Sequence, residues 1–191
     1  IVNPVSGLKK SLKVYYEAKN LFEKSDFNTS LFVSEYPNHI KDYVSKIEKN
    51  RFDRIIVFGG DGSINEVVNG LNDSNNLQSF KLGVIPTGSG NSVAHDTGLL
   101  DVKDAISKSL GDNIIKMDLN QVDFDSFSRL SVSVLGWGMF SYGNIRAEKL
   151  RLLGPIRYDV ASIITLLEKK IHKAKVKVDG TLKLLECAFI V

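Results

Sequence analysis

Two textures of apolar residues alternate along the first part of the chain. Runs of consecutive aliphatic, β-branched and aromatic residues at positions 1–2, 29–33, 54–58 and 81–85 predict buried strands. Between them, apolar residues spaced by three and four predict helices near 9–24, 39–49 and 63–72. Their apolar stripes are Leu12, Tyr15, Tyr16 and Phe22, then Ile40, Tyr43, Val44 and Ile47, then Ile64, Val67, Val68 and Leu71. Asn38 is placed to cap the second helix, Ser63 and Glu66 have the spacing of a capping box at the third, and Asp101 caps a further helix through Leu110. Strands alternating with helices predict a mainly parallel, doubly wound α/β sheet over residues 1–112.

The texture changes from residue 113. Stretches 114–124 and 129–135 read as strands, and a long helical region over 146–172 is interrupted at Gly154-Pro155. Segments 174–179 and 181–191 then alternate apolar and polar residues across Asp179-Gly180, a strong hairpin signal. Residues 113–191 are therefore expected to begin an antiparallel β domain that the chain leaves unfinished. No internal repeat or low-complexity segment is visible.

The chemistry gathers where the strands end. Residues 54–62 run from a buried strand into Gly59-Gly60-Asp61-Gly62, and the third helix follows at once. Taken alone, this fits a tight turn whose aspartate caps a backbone amide. It fits equally a glycine-rich entry to a helix N-terminus, where free N–H groups and the helix dipole attract phosphate. A carboxylate repels phosphate unless a metal or a reacting hydroxyl lies between them, so the functional reading is phosphoryl transfer with Asp61 beside the acceptor or the magnesium. Two further strand ends carry small polar loops, Asn3-Pro4-Val5-Ser6-Gly7 and Pro86-Thr87-Gly88-Ser89-Gly90-Asn91. Rival motifs are missing: there is no P-loop, no third glycine for a dinucleotide fingerprint, and no protein-kinase His-Arg-Asp or Asp-Phe-Gly.

These three segments, in this order and with Asn65-Glu66-Val67-Val68-Asn69-Gly70 after the second, resemble the signatures of the diacylglycerol kinase catalytic domain superfamily. Trp137-Gly138 followed by Glu148-Lys149, Arg151, Leu153-Gly154 and Arg157-Tyr158 is similar to its sphingosine kinase and ceramide kinase branch. The resemblance implies a nucleotide domain followed by a β-sandwich substrate domain. It implies an ATP- and Mg2+-dependent lipid kinase acting first on a sphingoid base, with ceramide and diacylglycerol as alternatives. In that reading Asn3, Ser6, Gly7, Ser34, Gly59, Gly60, Gly62, Ser63, Glu66, Gly88, Ser89, Gly90 and Asn91 form the nucleotide site. Asp61 serves the lipid hydroxyl, Arg151 and Arg157 neutralise the phosphoryl group, and Trp137 and Asn144 contact substrate. The branch has an acidic residue where this chain has Asn144, which puts recognition of a charged amine in doubt. Other classes with a Gly-Gly-Asp-Gly loop, NAD kinases and phosphofructokinases, lack the first and third loops; the presence of every motif residue argues against the remaining alternative, a catalytically inactive lipid-binding module.

Bulk properties narrow the rest. The 191 residues carry 25 basic and 22 acidic side chains, a net charge of +3, too balanced for a nucleic-acid partner. A mildly basic surface suits peripheral contact with an anionic membrane, consistent with a cytoplasmic, peripherally membrane-associated enzyme. Apolar runs fall short of the roughly 20 residues of a membrane span. The single cysteine, Cys187, sits in an apolar run and is expected in the core. His39, His95 and His172 have no metal-binding spacing, and His39 is expected to be structural. Trp137 is expected either as a buried anchor at a domain junction or against an acyl tail. On a helix, Arg151 and Arg157 fit either a solvated face or bidentate phosphate contacts.

Overall fold

The computed structural model describes residues 1–25, 27–168 and 170–191, together with all of their side chains except those of Phe140, Arg151 and Pro155. They divide into two compact units, residues 1–133 and 134–191.

The first unit contains α1 (Ser11–Glu23), α2 (His39–Val44), β1 (Arg54–Gly59), α3 (Asp61–Asp73), β2 (Lys81–Pro86), α4 (Ser92–Asp96), α5 (Val102–Leu110), β3 (Asn120–Asp123) and β4 (Ser128–Ser131). β1 and β2 pair in parallel from Arg54↔Lys81 to Gly59↔Pro86. Val2 adds parallel bridges to Phe58 on one side and Val33 on the other. The extended segments thus lie in the order 33, 2, β1, β2, although those at 29–33 and 1–2 shrink to one bridging residue each.

Alternation along β1 feeds two cores. Phe58 joins Val2, Ala18, Phe22, Ile85 and Ile106 beneath α1 and α5, whereas Ile55 and Val57 join Ile40, Val44, Val67 and Leu71 beneath α2 and α3. A third cluster holds Ile64, Val68, Val84, Val93, Leu130 and Val132.

Three local expectations change in context. The α2 helix stops at Val44, not 49, and Asn38 does not cap it: its backbone is left-handed at φ 66° and its side chain makes no cap bond. Glu66 performs that task from α3, its carboxylate accepting from the N–H groups of Asn38 (3.3 Å) and Ile40 (3.2 Å). The capping box fails for a related reason. The α3 helix starts at Asp61 with Gly60 as its N-cap, so Ser63 already lies inside the first turn. Asp101, by contrast, accepts from the Asp104 N–H at 2.9 Å and caps α5 as its position suggested.

The strands foreseen at 114–124 and 129–135 contract to the antiparallel β3–β4 pair. Their attachment is decided by Asn69 of α3, whose buried amide donates to Leu130 O (2.9 Å) and accepts from Leu130 N–H (3.0 Å). A side chain thereby imitates a neighbouring strand, and the β3–β4 hairpin joins the first unit.

The second unit contains β5 (Trp137–Gly138), α6 (Met139–Lys149), a 3-10 turn (Arg151–Ile156), α7 (Arg157–Leu167), β6 (His172–Val178), β7 (Thr181–Cys187) and β8 (Phe189–Ile190). The helical break falls where Gly154-Pro155 placed it, with Gly154 at φ 62°, but α6 begins at Met139. β6 and β7 form an antiparallel hairpin whose turn residues Asp179 (φ 47°) and Gly180 (φ 87°) both adopt the positive φ of the favoured two-residue turn. β5 and β8 form a second antiparallel pair. Cys187 is only half-buried, and Trp137 is 44 % exposed, so neither is the core residue expected. Among the described residues, no helix is long and apolar enough to cross a membrane.

Candidate active site: three loops at one sheet edge

Because the segment at Val2, β1 and β2 are parallel neighbours, the loops that follow them emerge at the same edge of the sheet, the edge where open α/β sheets bind ligands. Side chains and glycines then bind the loops to one another. Asn3 Nδ2 donates to Ser63 Oγ (2.9 Å) while Asn3 Oδ1 accepts from the Val5 N–H (3.2 Å), joining the first loop to the second. Ser6 Oγ donates to Thr87 O (3.4 Å), joining the first to the third. Gly7 sits at φ 53°, and a Cβ there would fall 1.9 Å from Thr87 O, so no other residue fits.

The second and third loops meet glycine on glycine. A Cβ on Gly88 would lie 2.4 Å from Gly60 Cα and 2.7 Å from Asn91 Oδ1. Asn91, itself left-handed at φ 55°, closes the third loop by accepting from Gly88 N–H (2.9 Å) and donating to Gly88 O (3.0 Å). Gly7, Gly60 and Gly88 thus serve loop-to-loop contact. Gly59 is needed within the second loop itself, since a Cβ there would meet the Ser63 side chain at 2.5 Å.

Gly62 is different. A Cβ there would meet nothing within 4 Å, and the residue is exposed in the first turn of α3, where the Ser63 N–H turns back to Gly60 O (2.9 Å) and the two N–H groups before it have no carbonyl of the helix to meet. Asp61, one residue earlier, is half-buried and oriented: its Oδ1 accepts from the Val93 N–H of α4 (3.1 Å). The other oxygen, Oδ2, lies 3.2 Å from the place a Cβ on Gly90 would take, so Gly90 keeps that flank of the carboxylate open. An oriented carboxylate beside an uncovered helix N-terminus can hold a hydroxyl or a cation next to bound phosphate. Among the described residues, no group of three His, Cys, Asp or Glu side chains is placed to hold a metal.

Other anticipated positions have structural partners. Ser34 is buried, with its N–H donating to Val2 O (3.0 Å), and Glu66 caps α2. Ser89 is half-buried on the third loop. His39 accepts at Nδ1 from the Glu35 N–H (3.1 Å) and stacks on Tyr36 with ring centroids 4.1 Å apart.

In the second unit, Trp137 meets His172 edge-on at 5.4 Å and Asn144 is exposed on α6. Arg146 bonds Thr165 Oγ1 (3.0 Å) and pairs with Glu168. Arg157 is 6 % exposed, which removes the solvated-face reading; it pairs with Glu148 (3.3 Å) and bonds the Tyr158 hydroxyl (2.7 Å). The Arg151 side chain lies outside the described residues.

Sequence reasoning passed over Ser11 and Thr87, buried residues whose hydroxyls lie 2.7 Å apart and brace the first loop against the third. Thr87 stood inside a recognised loop, but Ser11 carried no signal beyond being a polar residue on the rim of an apolar helix face.

The family model for the diacylglycerol kinase catalytic domain matches residues 1–122. Sphingosine kinase 2 of Arabidopsis thaliana is 31% identical over 169 residues, covering 83% of this chain and 35% of the kinase. Human ceramide kinase is 32% identical over 196 residues, covering 92% and 36%. The chain spans about a third of the length of these relatives. A diacylglycerol kinase from Bacillus anthracis str. Sterne superposes with a TM-score of 0.74 at 21% identity, over 98% of this chain and 60% of that structure, which establishes a shared fold. A family match across all three loops, joined to the geometry by which those loops hold one another, means that this chain belongs to the diacylglycerol kinase catalytic domain family.

Proposed function

We propose that the protein is an ATP-dependent lipid kinase that transfers the γ-phosphoryl group to a lipid hydroxyl, with a sphingoid base as the first substrate candidate. The observation that carries this reading is the pairing of Gly62, a glycine the protein's own packing does not need, with Asp61, a carboxylate held beside it by the Val93 N–H. The first unit is read as a doubly wound nucleotide domain, and residues after it as the opening of a β-sandwich for the lipid.

The N–H groups at the start of α3, those of Asp61 and Gly62, and the loops of Asn3, Ser6, Gly7, Gly88, Ser89 and Gly90 cradle the nucleotide phosphates. When bound, ATP supplies the phosphoryl group and Mg2+ supplies charge neutralisation. Magnesium is commonly held by one or two carboxylates plus phosphate oxygens and water, and Asp61 would supply one such carboxylate. Asp61 orients the lipid hydroxyl or takes its proton, while Arg151 and Arg157 offset the charge of the transferring group. Such catalysis needs position and charge and no histidine or cysteine nucleophile.

A second reading has its own observation. Asn144 is an uncharged amide on an exposed helix face, which favours a neutral head group such as ceramide, with diacylglycerol next.

The test is to incubate the full-length protein with labelled ATP and equal amounts of sphingosine, ceramide and diacylglycerol. A labelled lipid is the expected result, and product from diacylglycerol alone overturns the substrate ranking. Asp61→Asn keeps an acceptor for the Val93 N–H and should retain nucleotide binding while losing on the order of 10² to 10⁴ in rate. Near-normal turnover in that variant would return Asp61 to a plain helix cap.

A further inference from the structure

The register of the β6–β7 hairpin assigns every residue to a side. Lys173, Lys175 and Lys177 oppose Glu186, Leu184 and Leu182, and directly opposed residues of an antiparallel pair project together. The other side carries Ala174, Val176 and Val178, with Cys187 opposite His172, Leu185 opposite Ala174, Lys183 opposite Val176 and Thr181 opposite Val178. Ala174, Val176 and Cys187 are half-buried, whereas all three lysines are exposed. Along β6 the side of His172, Ala174 and Val176 is thus the more covered one and the lysine side faces solvent, while Val178 and Leu185 are exposed as well.

On the solvent side Leu182 and Leu184 are the exceptions. They stand 62 % and 73 % exposed, directly across from lysines. Lys173 is engaged with Glu186 at 3.1 Å. Lys175 and Lys177, the lysines facing the two leucines, have no ion pair among the described residues.

We propose that this lysine–leucine side of the β6–β7 hairpin docks the protein on an anionic lipid surface. Leu182 and Leu184 enter the boundary between headgroups and acyl chains, and Lys175 and Lys177 meet the anionic headgroups. The inference rests on the lipid-kinase reading, which requires the enzyme to meet a substrate embedded in a membrane. Charge complementarity selects the occupant: leucines alone fit any apolar partner, but uncompensated ammoniums beside them match a surface that is anionic at headgroup depth and apolar just below. Lysine's long stem allows its ammonium to stay at headgroup level while the leucines go deeper.

The test is sedimentation of the full-length protein with phosphatidylcholine vesicles, with and without phosphatidylserine. The parent should prefer the phosphatidylserine vesicles and lose that preference in high salt. Each basic side chain near such a surface is worth about a fivefold change in binding, so the Lys175→Gln/Lys177→Gln variant should bind them about 25-fold more weakly. Leu182→Ser/Leu184→Ser should weaken binding to both vesicle types. These exposed positions leave folding intact, which a melting curve checks. Parental vesicle binding in either double variant would overturn the proposal. So would protection of Lys175 and Lys177 from amine acylation in the absence of vesicles, which would mean that another part of the protein covers this side. Turnover on detergent-dispersed lipid should be unchanged in both variants. A parent inactive on every dispersed lipid but still docking through these residues would sink the kinase reading while supporting the docking surface.

Discussion

Two glycines in neighbouring loops should respond to the same substitution in opposite ways. In Gly88→Ala the new methyl would lie 2.4 Å from Gly60 Cα and 2.7 Å from Asn91 Oδ1, and the closer of these is backbone that cannot swing aside. Relieving it must part the second and third loops, at the roughly 1–3 kcal/mol typical of overpacking. In Gly62→Ala the methyl meets nothing within 4 Å, and alanine in a helix is up to about 1 kcal/mol better than glycine. For a chain of this size, 1 kcal/mol corresponds to about 2–4 °C in melting temperature. Gly88→Ala should therefore melt several degrees lower without ligand, and Gly62→Ala at or slightly above the parent. In the proposed function nucleotide binding inverts the order for Gly62, because that reading gives the space its methyl takes to a phosphate. An overpacking cost of about 1–3 kcal/mol becomes a loss of roughly 5- to 150-fold in affinity. Calorimetric titration of the full-length protein with ATP, beside thermal melts, reads both quantities. Parental ATP affinity in a well-folded Gly62→Ala protein would refute the assignment of that open space to the nucleotide.

Three other perturbations test neighbouring parts of the account. Glu66→Ala strips two N–H acceptors from the start of α2 and should cost about 0.5–2 kcal/mol in a denaturant titration, with nucleotide affinity unchanged; a selective loss of affinity would instead make it a ligand contact. Arg157→Ala removes a buried guanidinium paired with Glu148 and should lower both turnover and melting temperature; Arg157→Lys should recover stability better than rate, because a point charge cannot reproduce the fork, and full rate in the lysine variant would dismiss bidentate recognition. The Arg146 guanidinium, chiefly through its hydrogen bond, holds the Glu168 carboxyl below the usual carboxylate range. Its stabilising contribution is thus complete above the unfolded carboxyl's pKa and fades as pH falls through the lower folded value. Arg146→Gln should flatten the acid side of a melting-temperature-against-pH curve, and curves of equal slope would dismiss the coupling.

Local chemistry was readable wherever one residue's requirement is met by its chain neighbours. Asp179-Gly180 specifies its own hairpin turn through positive φ, Gly154-Pro155 interrupts a helix through its own backbone, and Asp101 caps the helix it begins. The glycine-rich strand ends belong to this class, since strand periodicity and turn composition are properties of a short window. What each polar group would bind was not readable in this way. Asp61 finds the N–H of Val93, 32 residues on; Glu66 finds α2, 26 residues back; and Ser11 finds Thr87 across 76 residues. None of these partnerships repeats with a period or follows from propensity. A free N–H accepts whichever carboxylate the packed sheet brings near, and the parallel order of Val2, β1 and β2 decides which one arrives. The same holds at residue 133, where the change in strand texture suggested an earlier boundary: Asn69 holds β4 by its backbone, and only assembled elements reveal which neighbour an edge strand has found. Sequence alone determined the local turns, caps and loop composition, because their energetics close within a few residues; tertiary structure decided which loops touch and which glycine is left uncovered, because those depend on distances that only the folded sheet sets.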